Sequence, residues 1–209
     1  MAMVTSLNAM STQIRKYELK ARAESQRETR DRIARVTAAL HEEKGVARTT
    51  VAEIARRAGV TRLTVYNHFP DLSDLLPACA AHYESLHPTP DFDGALAQAE
   101  PEQRVRGTLA RLYGWYRETE PMYGKLFSDR ASVPELDRFM EENFDRLQVE
   151  LADALATPFG ARGRRAERTG ALIRLALDFW TWRRLSRQGL DDEAAADLMA
   201  AAVVATRTA

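Results

Sequence analysis

The sequence predicts an all-α protein of about nine helices, in which a small N-terminal three-helix unit precedes a larger helical body. Three observations predict it. Apolar residues recur at helical spacing, as in Ile33, Val36, Thr37 and Leu40, and no stretch shows the period-two alternation of a half-buried strand. Thr50, Thr61, Asp71 and Asp191 each stand just ahead of a helical segment, where a side-chain oxygen can accept from an unpaired backbone N–H. Glycines and prolines fall between these segments rather than within most of them.

The elements follow in order. Residues 25–44 make the first helix, stopped by Gly45. Thr50 and Glu53 form a capping box for a short helix ending near Ala58. Gly59 breaks that helix, and Thr61 caps the next, which runs to about His68. After Pro70, Asp71 caps a longer helix to about Leu86, ended by His87-Pro88-Thr89-Pro90. A helix from about Ala95 or Glu102 to Glu118 closes at Pro121, and a short stretch covers Met122 to Ser128. Ser132, Pro134 and Glu135 mark the start of a long helix to about Ala156. Pro158, Gly160 and Gly163 form a loop. Ala166 to Arg187 is helical, Gly189 stops it, and Asp191 caps a last helix to about Thr206. The expected division is a flexible basic extension over 1–24, structureless from Met1 to Ser11, a reading unit over 25–70, and a ligand-binding and dimerisation domain over 71–209.

Composition narrows the function. The chain has 209 residues, 45% of them hydrophobic, which suits a globular protein with a real core. Cys79 is the one cysteine, so no internal disulfide forms and a cytoplasmic setting is expected. No apolar run approaches the roughly 20 residues that cross a bilayer, and no signal peptide is read at the N-terminus. The zero net charge hides an asymmetry. Residues 1–68 hold 13 Lys and Arg against 7 Asp and Glu, and the remaining residues hold 17 against 23. The basic first third is the part suited to a polyanion.

The sequence carries no enzyme signature: neither a Gly-rich phosphate loop nor a G-x-S-x-G elbow is present. Cys79, His82 and His87 are near in sequence, yet no second Cys or compact acidic partner completes a four-ligand set, so neither metal nor cofactor is expected.

Residues 51–69, V-A-E-I-A-R-R-A-G-V-T-R-L-T-V-Y-N-H-F, carry the functional argument. Two short helices crossing at a steep angle need a small residue at the crossing, Ala55, and a left-handed turn residue, Gly59. Ile54, Ala58, Val60 and Val65 turn inward. Arg62, Leu63, Thr64, Tyr66 and Asn67 are then forced outward, with His68 at the end. That face is polar and aromatic and lacks acid, as the major groove requires. A plain helical hairpin would mix both signs of charge there. Arg30, Arg32 and Arg35 on the preceding helix add to the basic surface.

Thr49 to Leu75 resembles the DNA-binding domain of the TetR/AcrR family of bacterial regulators, on T-T-V-A-E-I-A-R-R-A-G-V-T, L-T-V-Y-N-H-F and the pair Leu72 and Leu75. The resemblance implies a homodimer on a near-palindromic double-stranded operator, with a variable C-terminal ligand domain. It implies that Thr50, Thr61 and Thr64 contact phosphates or base edges, that Tyr66 and His68 contact the backbone, and that Arg62 reads a base. Leu63 stands where the family often has Gly or Pro, and touches a thymine methyl or simply packs. The family's usual Lys near the start of the fourth helix is replaced by Leu72. Arg15, Lys16, Lys20, Arg22 and Arg27 form either a basic arm that replaces that contact or a solvated tail.

In the body, aromatics cluster. Tyr113, Tyr116, Met122, Phe127, Phe144, Phe179 and Trp182 are the expected lining of a mostly apolar cavity for a small-molecule effector; the bland alternative is solid core. Residues 166–187 and 191–206 are apolar on more than one face, so they are expected to bury the extra face in a homodimer. The reading that emerges is a repressor released from its operator by a small ligand. Its rival is a helical interaction protein whose helix-turn-helix no longer reads DNA.

Overall fold

The computed structural model describes the backbone of residues 2–206 and the side chains of residues 17–206. Among these residues every regular element is helical: α1 (Ala2–Lys44), α2 (Val51–Ala58), α3 (Arg62–His68), α4 (Leu72–Leu86), α5 (Asp93–Leu96), α6 (Pro101–Asp129), α7 (Pro134–Met140), α8 (Arg146–Ala156), α9 (Arg164–Leu177), α10 (Phe179–Arg187) and α11 (Asp192–Ala205). Helices fall where the residue pattern places them, with differences of segmentation that each have a physical cause.

The first helix starts at Ala2 rather than near residue 25, and the stretch Met1–Ser11, read as structureless, is helical from Ala2; Met1 itself lies outside the described residues. Residues 2–44 contain neither Gly nor Pro, so nothing in them breaks a helix once formed. From Tyr17 to Glu28 every side chain is exposed. The side chains of Arg15 and Lys16 lie outside the described ones.

Pro121, expected to end a helix, sits inside α6. Its missing donor costs about 3 kcal/mol. Trp115, Tyr116, Thr119 and Met122 are buried on either side of it, and their burial holds the helix continuous. Ser132 does not cap the next helix: it lies in a 3-10 turn, its hydroxyl donating to the Asp129 carbonyl, and Pro134 opens α7. α7 runs into α8 through one wide π turn, Glu141–Asp145.

The segment 166–187 divides at Asp178, which is extended (φ −69, ψ 132) and caps α10 by accepting from the Thr181 N–H at 2.7 Å. The break leaves the Ala176 and Leu177 carbonyls without helical donors. The Tyr113 and Tyr116 hydroxyls supply them, each at 2.7 Å, and the Gln148 amide joins both the Tyr116 oxygen and the Leu177 carbonyl.

Two apolar cores result. The smaller gathers Ile33, Leu40, Ile54, Ala58, Val65 and Phe69 with Leu75 and Cys79. The larger surrounds α6, with Leu109, Tyr113 and Tyr116 against Leu155, Ile173, Leu177, Trp182, Ala196 and Val203. The two interlock. On α4, Leu75 and Cys79 face the smaller core and Leu76 the larger, while Val46, from the turn after α1, belongs to the larger.

Candidate functional site

The local sequence builds the α2–α3 unit from its caps outward. The Thr50 hydroxyl accepts from the Glu53 N–H at 3.3 Å and opens α2. The Glu53 carboxylate does not complete the capping box. It turns to Lys44 and Arg57, and the hydrogen bond from Lys44 holds it below its ordinary value. Gly59 (φ 65, ψ 36) ends α2 in a left-handed turn, with its own N–H on the Arg56 carbonyl and the Val60 N–H reaching back to Ala55 at 3.0 Å. Thr61 then caps α3, accepting from the Thr64 N–H at 3.0 Å, and the two hydroxyls share a hydrogen bond of 2.8 Å.

Val65, Ala55 and Ala58 seal the crossing of the two helices. Arg62, Leu63, Tyr66 and Asn67 are exposed; Leu63 is 68% and Tyr66 50% accessible, large values for such side chains in a folded protein. Thr64 and His68 are half-buried. Thr50 and Thr61 are exposed beside this face, which carries no acid. Arg30 has a role that its charge alone did not suggest. Its guanidinium lies 4.0 Å from the centre of the Phe69 ring and donates to the His68 carbonyl, so it ties the end of α3 to α1. Leu72 packs against the larger core.

A cavity of about 550 Å³ opens in the body between α4, α6, α7, the π turn and α8, with His41 of α1 in its wall. Its apolar lining includes Leu76, Trp115, Tyr123, Leu136, Phe139 and Met140. Of the aromatic set expected around an effector, Met122 and Phe144 line this cavity. Phe127 is half-buried between Phe144 and Phe179, with ring centres 5.0 and 4.9 Å away. Tyr113, Tyr116, Phe179 and Trp182 are sealed in the core, and the Trp182 N–H donates to Asp192 at 3.0 Å. Sequence reasoning missed His41 and Tyr83. They stand on α1 and α4, and only the packing of α4 across α1 and α6 brings them together with Tyr123, a member of the aromatic stretch that the sequence shows.

Burial dominates the chemistry of this wall. It pushes the Cys79 thiol up to about 12 and Tyr83 to about 12, and pulls His41 down to about 4 against the opposing charge of Asp129. His41 is therefore neutral and Cys79 unreactive at neutral pH. Among the described residues no cluster of three His, Cys, Asp or Glu is placed to hold a metal.

Asp129, at the end of α6, also meets the turn after α1. Its carboxylate accepts from the Ala47 N–H at 3.1 Å, and Gly45 (φ 87) is the residue that lets it approach: a Cβ there would collide with the carboxylate oxygen. The adjacent Arg130 grips Asp145 with two hydrogen bonds of 2.9 and 2.7 Å and Asp137 with one of 2.7 Å. The π turn at the cavity and the turn leading to α2 thus hang on neighbouring residues.

The profile of bacterial regulatory proteins, tetR family, matches residues 33–79. The uncharacterized HTH-type transcriptional regulator Mb2274c of Mycobacterium bovis is 44% identical over 146 residues, 69% of this chain and 70% of that one. The chain belongs to the TetR family. Its likeness to the HTH-type transcriptional regulator TtgR of Pseudomonas putida is 37% identity over 89 residues, 43% of this chain and 41% of TtgR, so the match spans about two fifths of that relative. A TetR-like transcriptional regulator from Rhodococcus sp. RHA1 shares the fold, with a TM-score of 0.57 at 20% identity over 84% of this chain and 93% of that one. Within the TetR fold, residues 33–79 run from the last third of α1 to the middle of α4, and so enclose the α2–α3 unit whole.

Proposed function

We propose that the protein is a DNA-binding transcriptional regulator, a repressor released from its operator when a small, mostly apolar ligand enters the cavity of the body. The observation that carries this reading is the exposed, acid-free face of α3, where Arg62, Leu63, Tyr66 and Asn67 project, with Thr64 half-buried among them, from a buried Val65 and a doubly capped turn. Arg62 reads guanine, Thr50, Thr61 and Thr64 meet phosphates or base edges, and Tyr66 and His68 hold the backbone. The names of the TetR relatives support the same reading.

The active species is a cytoplasmic homodimer through residues 166–187 and 191–206. Leu175, Trp180 and Leu198, on α9, α10 and α11, are exposed between 40% and 50%, and a second copy covers them. Ligand and operator oppose one another through α4, which follows α3 after three residues and lends Leu76, Pro77, Cys79, Ala80, Tyr83 and Glu84 to the cavity.

Fluorescence anisotropy with the duplex upstream of the protein's own gene, at fixed salt, tests the whole reading. Specific, saturable binding by a dimer is expected. Equal affinity for that duplex and for scrambled DNA overturns it and leaves a helical interaction protein, the reading favoured by Leu72 standing packed where a phosphate-binding Lys is usual.

A further inference from the structure

The charge around the cavity carries an inference about its ligand, one that rests on the sensor half of the proposed function. The rim holds three exposed carboxylates, Glu84, Glu142 and Glu150, and one guanidinium, Arg146, already paired with Glu150 at 3.1 Å. The Glu84 carboxylate is held in place by the Thr89 N–H at 2.7 Å and the Thr89 hydroxyl at 3.3 Å. Deeper in the wall, His41 adds no positive charge, because burial keeps it neutral. The rim thus sets three carboxylates against one guanidinium that already serves one of them, a balance that favours a cation over an anion.

The second observation is independent of that rim. Tyr83 lines the cavity at 8% accessibility, and its hydroxyl is buried with no hydrogen-bond partner. A buried polar group without a partner is a defect that native folds rarely keep unless something else satisfies it. The ring of Tyr123 lies 4.7 Å from that of Trp115 and 5.6 Å from that of Phe144, so an aromatic cluster shares the lining with the carboxylates. Ring faces attract cations and repel anions.

We propose that the cavity selects amphipathic amines, molecules with an aromatic or alkyl body and one ammonium group, and rejects carboxylates of the same shape. The apolar body fills the space among Leu136, Phe139, Met140 and Phe144. The ammonium lies over the Tyr123 and Trp115 rings, with Glu84 and Glu142 at the rim, and donates to the Tyr83 hydroxyl.

Three probes with one body separate charge from shape: 4-phenylbutylamine, 4-phenylbutan-1-ol and 4-phenylbutanoate, titrated into the full chain by calorimetry at neutral pH and fixed salt. The amine is expected to bind about tenfold tighter than the alcohol, and the carboxylate weakest. Glu84→Gln with Glu142→Gln brings the amine down toward the alcohol while leaving the alcohol unchanged, which also shows that this variant is folded; Tyr83→Phe, checked for folding by circular dichroism, weakens both the amine and the alcohol, which lose the same hydroxyl partner. Equal binding of all three, or a carboxylate at least as tight as the amine, overturns the charge selection and leaves an apolar sensor standing. No heat from any of the three overturns both this proposal and the ligand half of the proposed function.

Discussion

Tyr66 of α3 and Tyr113 and Tyr116 of α6 are the same residue type put to opposite uses. Tyr66 stands half in solvent on a face whose backbone is already satisfied by the Thr61 cap. Tyr113 and Tyr116 are fully buried, and their hydroxyls are spent on the two carbonyls that the break at Asp178 leaves bare. The α2–α3 unit meets its own backbone needs within a few residues, so its outward side chains remain free for a partner. The body meets its needs across 61 and 63 residues of chain, and this consumes side chains that composition alone would assign to a ligand. An aromatic residue is available for binding only when its polar tip is not already needed by the fold.

That contrast can be broken by mutation, and the largest effect is expected in the body. Trp182→Ala removes a side chain 1% exposed and the donor to Asp192, and should cost about 3–5 kcal/mol in urea unfolding. Affinity for operator per folded molecule should stay the same. A loss below 1 kcal/mol would mean that the core around Trp182 is loose enough to be cavity after all.

The next effect is one of pH. His41 is pulled from 6.5 to about 4 by burial, so between those values the unfolded chain binds a proton that the folded one refuses. Stability is therefore full above about pH 6.5 and falls as pH drops toward 4, by about 3 kcal/mol from this one group. Urea midpoints measured across that window should slope in the wild type and flatten in His41→Gln; an unchanged slope would assign the acid sensitivity to other groups.

Arg62→Ala probes the opposite region. It should leave the urea midpoint within about 0.5 kcal/mol while costing about 1–3 kcal/mol of binding per half-site and relaxing the preference at one base pair. Anisotropy on a set of single-base operator variants reads both effects, and unchanged affinity at fixed salt would show that α3 is not the reader. The smallest change sharpens the comparison most. Thr61→Ala removes the cap of α3 and should cost about 1 kcal/mol of stability, and it should also weaken DNA binding, because here cap and contact face are one residue. Thermal melts and anisotropy on the same sample separate the two losses.

The α2–α3 unit was legible in the sequence because its determinants are local: Thr50 and Thr61 cap within three residues, and Gly59 turns the chain where it stands. The body was legible as helices but not as a site. Nothing near Pro121 announces that buried neighbours will carry the helix past it, and nothing near Asp178 announces that two tyrosines will close the break. The cavity wall draws on residues 41, 83 and 123, whose meeting depends on how three helices pack. Met122 and Phe144 were found there because they adjoin the aromatic cluster; Tyr113, Tyr116, Phe179 and Trp182 share that cluster and lie behind the wall rather than in it.

One feature of α1 bears on how such molecules can be recombined. Within seven residues the chain gives Leu40 to the smaller core, His41 to the cavity wall, Gly45 to the carboxylate of Asp129 and Val46 to the larger core. A hybrid joined at Pro70, carrying the reading head of one relative on the body of another, would import a foreign wall residue and a foreign plug along with the head. If the donor has any side chain at position 45, it would also push Asp129 away from the backbone it holds. Such a graft works only when positions 41, 45 and 46 stay with the recipient, which adds to the cut after α3 a pair of cuts flanking residues 41–46.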